Sequence, residues 1–595
     1  MKELWYVSCS PRNPKKIKKE LEWLATLEGQ EWNKKDQEGN KVTQLKFAKM
    51  LRDLAEFEGK ASGKESDFSA RDRVAPMKTY GFVYTDKQGR LRITKAGKAL
   101  INGEDEQHIF LMQMLKWQYP SSQHCGKEYL GQPATLFENK KLGFLIIPFI
   151  FTLQVVNLLG GVTKREIAIF LLPNRRMNRI FMVVKKIHKY RQERETKVGR
   201  SKKLEYDEMI HNSLYKKIYS TTLSKCVSRK AKKGLLKKKV SNSRDVADAC
   251  IRLFRHTGLF TTKRDRIIFN NTRINEIKLI LNQKWRPVNF FKDKVRFYKY
   301  FGNHEKPDLP FHAPQFLVKR IFSLKQEMAK LLIPKSKLQK IPRFKKAALL
   351  KKSKSNLLKI VSEFTKHYRE AKRWSIFQFL HTTGGQRDVL DVYDAITHRE
   401  VHDPPTFFEW NNWRAMIALD RCTRINAYMM MDDELQPVNC ARGNVPDILV
   451  EFDKYVVAVE VTLSSGRRQY MTETEPVTFH VGKCQHEENY NGNKRKVYGL
   501  FIAPKINKHT AQYFLQYIDS LEVPDYGNVT VIPFDLVQWI DILSFANSIS
   551  CLKTHQLGEL LASIEDASKN SSDVDEWLNS FPISINKWKN YVKKS

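Results

Sequence analysis

The chain has 595 residues, 42% of them hydrophobic, which is long enough for about three to four domains and apolar enough to bury a core in each. Its 104 Lys and Arg outnumber 64 Asp and Glu, a formal net charge of +40; that excess favours a polyanionic partner, nucleic acid or an anionic membrane surface, and predicts binding that weakens steeply with salt. Eight Cys without a CxxC pair argue against a disulfide framework and a zinc finger, and with an N-terminus lacking an apolar signal core they suit a reducing, cytoplasmic setting.

The charge is unevenly placed. Residues 391–595 hold roughly 20 Lys and Arg against 28 Asp and Glu, so the preceding part carries about +48. The densest basic stretch is 175–244. The grip on a polyanion therefore belongs to the N-terminal two thirds, and the acidic end suits another task, such as holding a metal.

In chain order, residues 66–101 predict a winged helix. SARDRVA reads as a short helix capped by Ser69, Pro76 suits the first position of a second helix, and Gly81 stops it. FVYTDKQGRLRIT alternates as two strands about a Gly-containing turn, and TKAGKALI returns as a helix. LGFLIIPFIFTLQVVNLLGG (142–161) is uncharged and long enough to span a bilayer, but Pro148, Gln154 and Asn157 interrupt it and favour buried core helices. A second copy of the first pattern lies at 243–270, where SRDVADACIRLFRHTGLF precedes the wing TTKRDRIIFN; GGVTKREIAIFLL (160–172) resembles its opening helix. On these helices Arg71, Arg73, Lys78, Arg244, Arg252 and Arg255 suit guanine edges, and Arg90 and Arg92 on the wing suit phosphates. Each reads equally as solvated surface charge.

Residues 315–385 are Lys-rich with recurrent Leu, Ile and Phe, a helical connector ending at HTTGGQRD (381–388). The expected domains are recognition subdomains at 1–140 and 141–300, a helical linker at 301–388 and a catalytic domain at 389–595.

The sharpest feature is VPDILVEFDKYVVAVEVT (445–462). Two apolar runs flank Asp453-Lys454, which predicts an antiparallel hairpin in which Phe452 faces Tyr455, Val450 faces Val457 and Asp447 faces Glu460. Directly opposed side chains lie about 5 Å apart, where two like charges destabilise a sheet unless a cation offsets them. In PPTFFEW, Thr406 and Glu409 read as a capping box or as a carboxylate aimed at the same cluster. Glu473 and Glu475 precede Pro476, the expected start of a helix, with His480 one turn on; they read as helix-terminal charge or as further members of the site. Mg2+ held by two or three carboxylates neutralises charge on a phosphodiester and acidifies water, and a nearby Glu or His can take the proton.

These residues resemble the AlwI-like family of type IIS restriction endonucleases, near its GAGTC-recognising members, which include nicking enzymes and the double-strand cutters MlyI and PleI. The similarity rests on WYVSCSPR (5–12), RDRVAPMKTYGFV (71–83), KWQYPS (116–121), RDVADA (244–249), DELQPV (433–438), PD-x12-EVT (446–462), EPVT (475–478) and LFIAP-x-INK (500–508). It implies a multidomain α+β protein with winged-helix recognition subdomains, a helical linker and a C-terminal PD-(D/E)xK α/β nuclease domain. It implies Asp447, Glu460, Glu473, His480 and Glu409 as catalytic residues, Asp447, Glu460 and Val461 as metal-binding positions, Mg2+ as cofactor, and double-stranded DNA cleaved a few base pairs outside a short asymmetric site. Thr462 stands where the wider superfamily has Lys, which leaves the general base open between Glu473 and His480. A monomer that nicks, a homodimer, or a chain that recruits a separate small nuclease subunit remain open, as do a DNA-binding regulator with an inert nuclease-like domain and a subunit of a larger DNA-processing complex.

Overall fold

The computed structural model describes residues 4–11, 13–53, 66–119, 144–288, 294–331, 342, 344–419, 424–441, 443–549 and 552–594. Of the positions cited above, Arg12, Pro120, Ser121, Leu142 and Gly143 lie outside the described residues. The chain forms two compact units, Met1–Ser323 with Lys345–Val361, and Leu324–Phe344 with Ser362–Ser595.

In the first unit the main hydrophobic core runs from Trp5 to Phe311 and draws on both expected recognition subdomains, which therefore share it; a smaller cluster gathers Tyr215, Tyr219, Leu223 and Val240. Its N-terminal part packs helix Val42–Asp53 against helix Ser66–Thr79, which leads into a hairpin of β1 (Val83–Thr85) and β2 (Leu91–Ile93). A short extended segment joins beside β2, with Leu91 N–H donating to Gln30 O at 2.9 Å and Glu31 bridging Arg90. The same order recurs downstream. β3 (Val162–Thr163) precedes helix Lys164–Glu166 and its continuation Ile167–Leu171, and after an insertion helix Arg229–His256 leads into β4 (Phe260–Lys263) and β5 (Arg266–Phe269). The sheet order is β3-β5-β4, all antiparallel.

Two helix boundaries differ from expectation. The predicted helix–turn–helix at 69–81 is one continuous helix, Ser66–Thr79, with Pro76 inside it. Proline removes one backbone bond, but Ala70, Val74 and Met77 form a single buried stripe through that turn, and the packing keeps the helix running. Downstream, residues 243–256 are the end of a 28-residue helix rather than a short one. The apolar stretch 142–161 yields the buried helix Pro148–Leu159, ended by Gly160 at φ +71. No described helix is long and apolar enough to cross a membrane.

The core of the second unit runs from Leu380 and Val389 to Val592, so HTTGGQRD lies within it and residue 388 is no boundary. The unit is built on a five-stranded sheet of order β12-β11-β10-β9-β6, formed by β6 (Arg424–Ala427), β9 (Ile448–Glu451), β10 (Tyr455–Val461), β11 (Lys496–Ala503) and β12 (Thr530–Asp535); a separate hairpin pairs β7 (Met430–Met431) with β8 (Pro437–Asn439). β9 runs antiparallel to β6 and β10, whereas β11 and β12 continue parallel to β10. Parallel neighbours require crossovers, supplied by helices Gly466–Tyr490 and Lys508–Asp519. Alternation along β10 sends Val456 and Ala458 toward those two helices, and Val457 and Val459 toward helix Pro404–Leu419 and the C-terminal helices.

Gly499 on β11 lets helix Gly466–Tyr490 approach the sheet. A Cβ there would stand 2.7 Å from Val481 Cγ2 and 2.9 Å from Val531 Cγ2. Gly499→Ala is therefore expected to destabilise the protein by about 1–3 kcal/mol, read as a lower urea midpoint; an unchanged midpoint would show that the helix accommodates the methyl group without strain.

Candidate active site

The observed register pairs Val457 with Val450 and Val459 with Ile448, as the hairpin pattern predicts. Phe452 stacks on Tyr455 with ring centroids 4.4 Å apart at the turn. One step beyond Val459 and Ile448 stand Glu460 and Asp447. Both line a cavity of about 560 Å³ at this end of the sheet, together with Glu409, Glu473, Val461, Thr462 and Arg468.

Each wall of the cavity has a local cause. Asp447 precedes β9, and its Oδ2 accepts the Val461 N–H at 2.9 Å, tying the ends of the two strands together. Glu460 is buried, and its Oε1 lies 2.6 Å from His480 Nδ1. Glu409 comes from helix Pro404–Leu419 and accepts the Ala441 N–H at 2.8 Å. The expected capping box is absent: the helix begins at Pro404, and Thr406 Oγ1 donates to Asp403 at 2.9 Å instead. Glu473 and His480 lie on one helix, Gly466–Tyr490, which continues through Pro476 rather than starting there. Val477, Val481 and Cys484 of that helix pack on the sheet and carry it past the proline. Seven residues apart, Glu473 and His480 share this face two turns from each other. Thr462 Oγ1 donates to Glu473 Oε1 at 3.0 Å, so a neutral hydroxyl stands beside this carboxylate.

The electrostatics follow from burial and crowding. Desolvation and the nearby Glu409 and Glu460 push Asp447 well above the usual carboxylate range, against the Val461 N–H that favours its anion. Desolvation, with Glu409 and Glu473, pushes Glu460 up as well. Burial and Lys483 hold His480 below its ordinary value. A charged Glu460–His480 pair would shift each partner the other way; for both, burial is the larger influence.

The lining donors are carboxylates, hydroxyls and backbone groups, with neither thiol nor imidazole among them, a set that fits a hard divalent cation. Among the described residues no three His, Cys, Asp or Glu side chains already converge as a metal-binding cluster.

The expected DNA-contacting residues divide in two. Arg73 is buried and pairs with Glu20 at 2.9 Å, Arg252 is buried and pairs with Asp248, and Arg255 is buried at 3% exposure. These three guanidinium groups are held within the core rather than presented at the surface, and Arg73 and Arg252 could leave it only by giving up buried ion pairs. Arg71 is exposed, Lys78 lies 5.1 Å above the Trp32 ring, Arg244 is exposed beside Glu208, and Arg90 and Arg92 hold Asp86 of their own hairpin at 3.1 and 2.9 Å. Sequence reasoning missed Arg468. Its signal was the Arg467-Arg468 pair after the SSG turn, a cationic pair at the helix end that disfavours cations.

The family described as AlwI restriction endonuclease matches residues 78–542, spanning both units. This chain belongs to the AlwI restriction endonuclease family. It is thus a DNA-cleaving restriction enzyme of mixed α+β structure. Comparison with curated proteins gives no match. Among solved structures it is similar to the small subunit (R.BspD6I2) of the heterodimeric restriction endonuclease R.BspD6I, at 21% identity over 35% of this chain and 98% of that one, with a TM-score of 0.27. It is also similar to the BpuJ1 endonuclease binding domain crystallised with pyrene- and phenanthrene-modified DNA, at 16% identity over 44% of this chain and 86% of that one, again with a TM-score of 0.27.

The raised carboxyls make the AlwI-family site a cost to folding. A carboxyl whose pKa rises on folding destabilises the native state once pH exceeds its unfolded value near ~4, and increasingly so up to the folded value. Asp447→Asn, which keeps an acceptor for Val461 N–H, is expected to raise Tm by about 2–4 °C at pH 8 with chelator present, and to change nothing near pH 3. Calorimetry at the two pH values checks this; an equal or lower Tm at pH 8 would contradict it.

Proposed function

We propose that this enzyme is a type IIS endonuclease whose basic first unit binds a short asymmetric DNA site, GAGTC in our reading, and whose second unit hydrolyses a phosphodiester a few base pairs outside it. The observation that carries the chemistry is the convergence of Asp447, Glu460, Glu409 and Glu473 on one cavity, with Asp447 and Glu460 both strongly raised. The strand arrangement that carries Asp447 and Glu460 supports a PD-(D/E)xK assignment with Thr462 in place of the lysine.

Asp447, Glu460 and Val461 would hold Mg2+, with Glu409 as a supporting carboxylate. Bound there, the ion neutralises charge on the phosphodiester and lowers the pKa of water. The chain's own residues do the rest. Asp447 fixes the strand ends through Val461 N–H. His480 holds Glu460 through Nδ1. Glu473 lines the cavity with Thr462 Oγ1 on one oxygen and is the better placed of the two candidate bases, since His480 stands behind Glu460. One such site breaks one strand, which fits strand-specific nicking by a single chain and leaves double-strand cleavage to a second copy or a separate small subunit.

Recognition rests on the first unit. Its two repeats of a helix leading into an antiparallel hairpin, with an upstream segment bridged to the second hairpin strand in the first and paired with it as β3 in the second, support winged-helix subdomains. Ser66–Thr79 and the end of Arg229–His256 would then be the groove-reading helices. Arg71, Lys78 and Arg244 remain as contacts on them, and Arg90 and Arg92 as phosphate contacts on the wing.

Incubating supercoiled plasmid with the purified enzyme and Mg2+, then run-off sequencing both strands, tests the reading: breaks at a fixed offset from GAGTC are expected, and uncut plasmid would refute it. Asp447→Ala should lower cleavage at least about 10³-fold while DNA affinity in Ca2+ stays within about twofold; a loss of binding instead would make Asp447 structural. Glu473→Gln should slow single-turnover cleavage more than His480→Gln, and the reverse order would move the base to His480.

A further inference from the structure

We propose that Arg468 is the cation of this active site and that its guanidinium binds the phosphate being cut. The inference rests on the endonuclease reading above and deepens it. Among the described residues lining the cavity that holds Asp447, Glu460, Glu409 and Glu473, Arg468 is the one Lys or Arg. The position after β10 where a lysine would stand carries Thr462, whose hydroxyl is turned to Glu473. A diester phosphate adds a further negative charge to a cavity of four carboxylates, and a planar guanidinium offers two parallel N–H donors to its oxygens.

Structural reasons for Arg468 are lacking. It is exposed, and among the described residues its side chain forms no ion pair, while other arginines of this unit are engaged, as Arg495 is with Glu451 and Glu488 and Arg414 is with Asp388. It occupies the first turn of helix Gly466–Tyr490, which has no acidic residue in that turn, and the helix dipole opposes a cation there. Its backbone is nevertheless held firmly. The adjacent Gln469 side chain is buried, donates to Ser464 O and Lys505 O at 3.0 Å each, and accepts from Asn507 N–H at 2.8 Å. An anchored start to the helix thus carries a solvent-exposed guanidinium on the lining of a cavity that also holds four carboxylates, the arrangement expected of a substrate contact.

The test uses the full chain and a duplex carrying the cleavage site, with enzyme in saturating excess. Arg468→Ala is expected to slow single-turnover cleavage on the order of 100-fold, with DNA affinity in Ca2+ and thermal unfolding unchanged. Arg468→Lys should recover part of the rate. Millimolar guanidinium chloride should accelerate Arg468→Ala but not the wild type, relative to equal NaCl, because only a missing guanidinium is replaced. Cleavage by Arg468→Ala within about twofold of wild type would overturn the inference, as would a slow Arg468→Ala that guanidinium fails to rescue and that binds DNA correspondingly weakly. Asp447→Ala in the same assay separates the two levels: if it too cleaves, the endonuclease reading itself fails, whereas an inactive Asp447→Ala beside a fully active Arg468→Ala removes the arginine alone.

Discussion

Four carboxylates facing one cavity, two of them buried, are the constraint around which one end of the five-stranded sheet is arranged. Asp447 and Glu460 stand just past the last paired residues of β9 and β10, and Glu409 and Glu473 arrive from helices on either side of the sheet. Water screens such a group poorly once it is buried, so each carboxyl raises its neighbours. The fold tolerates this because its apolar layers are extensive: the two faces of the sheet pack against separate sets of helices, and the strained end is one corner of a large core. Sites that work on charged substrates commonly carry such a burden, relieved when the counter-charge arrives.

The hairpin was legible because its information is local. A two-residue turn and a period of two fix which residues oppose, and the observed pairs are those expected. Other features depended on contacts distant in sequence. Pro76 and Pro476 each suggest a helix start, yet both lie inside helices because buried stripes at helical spacing run through them. Arg73 and Arg252 looked like base readers on amphipathic helices. Nothing near Arg73 in sequence reveals Glu20 as its partner, and the burial of Arg252 reflects packing from elsewhere in the unit. The shared core of the first unit was hidden for the same reason, since two similar patterns read naturally as two independent bodies.

The division of charge gives the two units distinct physical tasks. The excess of Lys and Arg before residue 391 provides affinity that is largely indifferent to sequence and sensitive to salt. Selectivity then depends on the few exposed side chains on the helices that precede each hairpin. Residues 391–595, with more Asp and Glu than Lys and Arg, gain little from general attraction to DNA, so the site they carry needs its own local counter-charges where the phosphodiester enters.

The central claim is that a divalent cation relieves the repulsion among the cavity carboxylates, and the most direct measurement is the proton count on cation binding. Carboxyls raised by burial and by their neighbours release protons on binding Mg2+ at any pH where they are still partly protonated. Titrating Mg2+ into the DNA-free enzyme by calorimetry near pH 7, in two buffers of different ionisation enthalpy, reads that release. The account predicts saturable binding with net proton release that falls when Asp447→Asn and Glu460→Gln are combined. Binding whose heat is independent of buffer, or no binding in wild type, would contradict it.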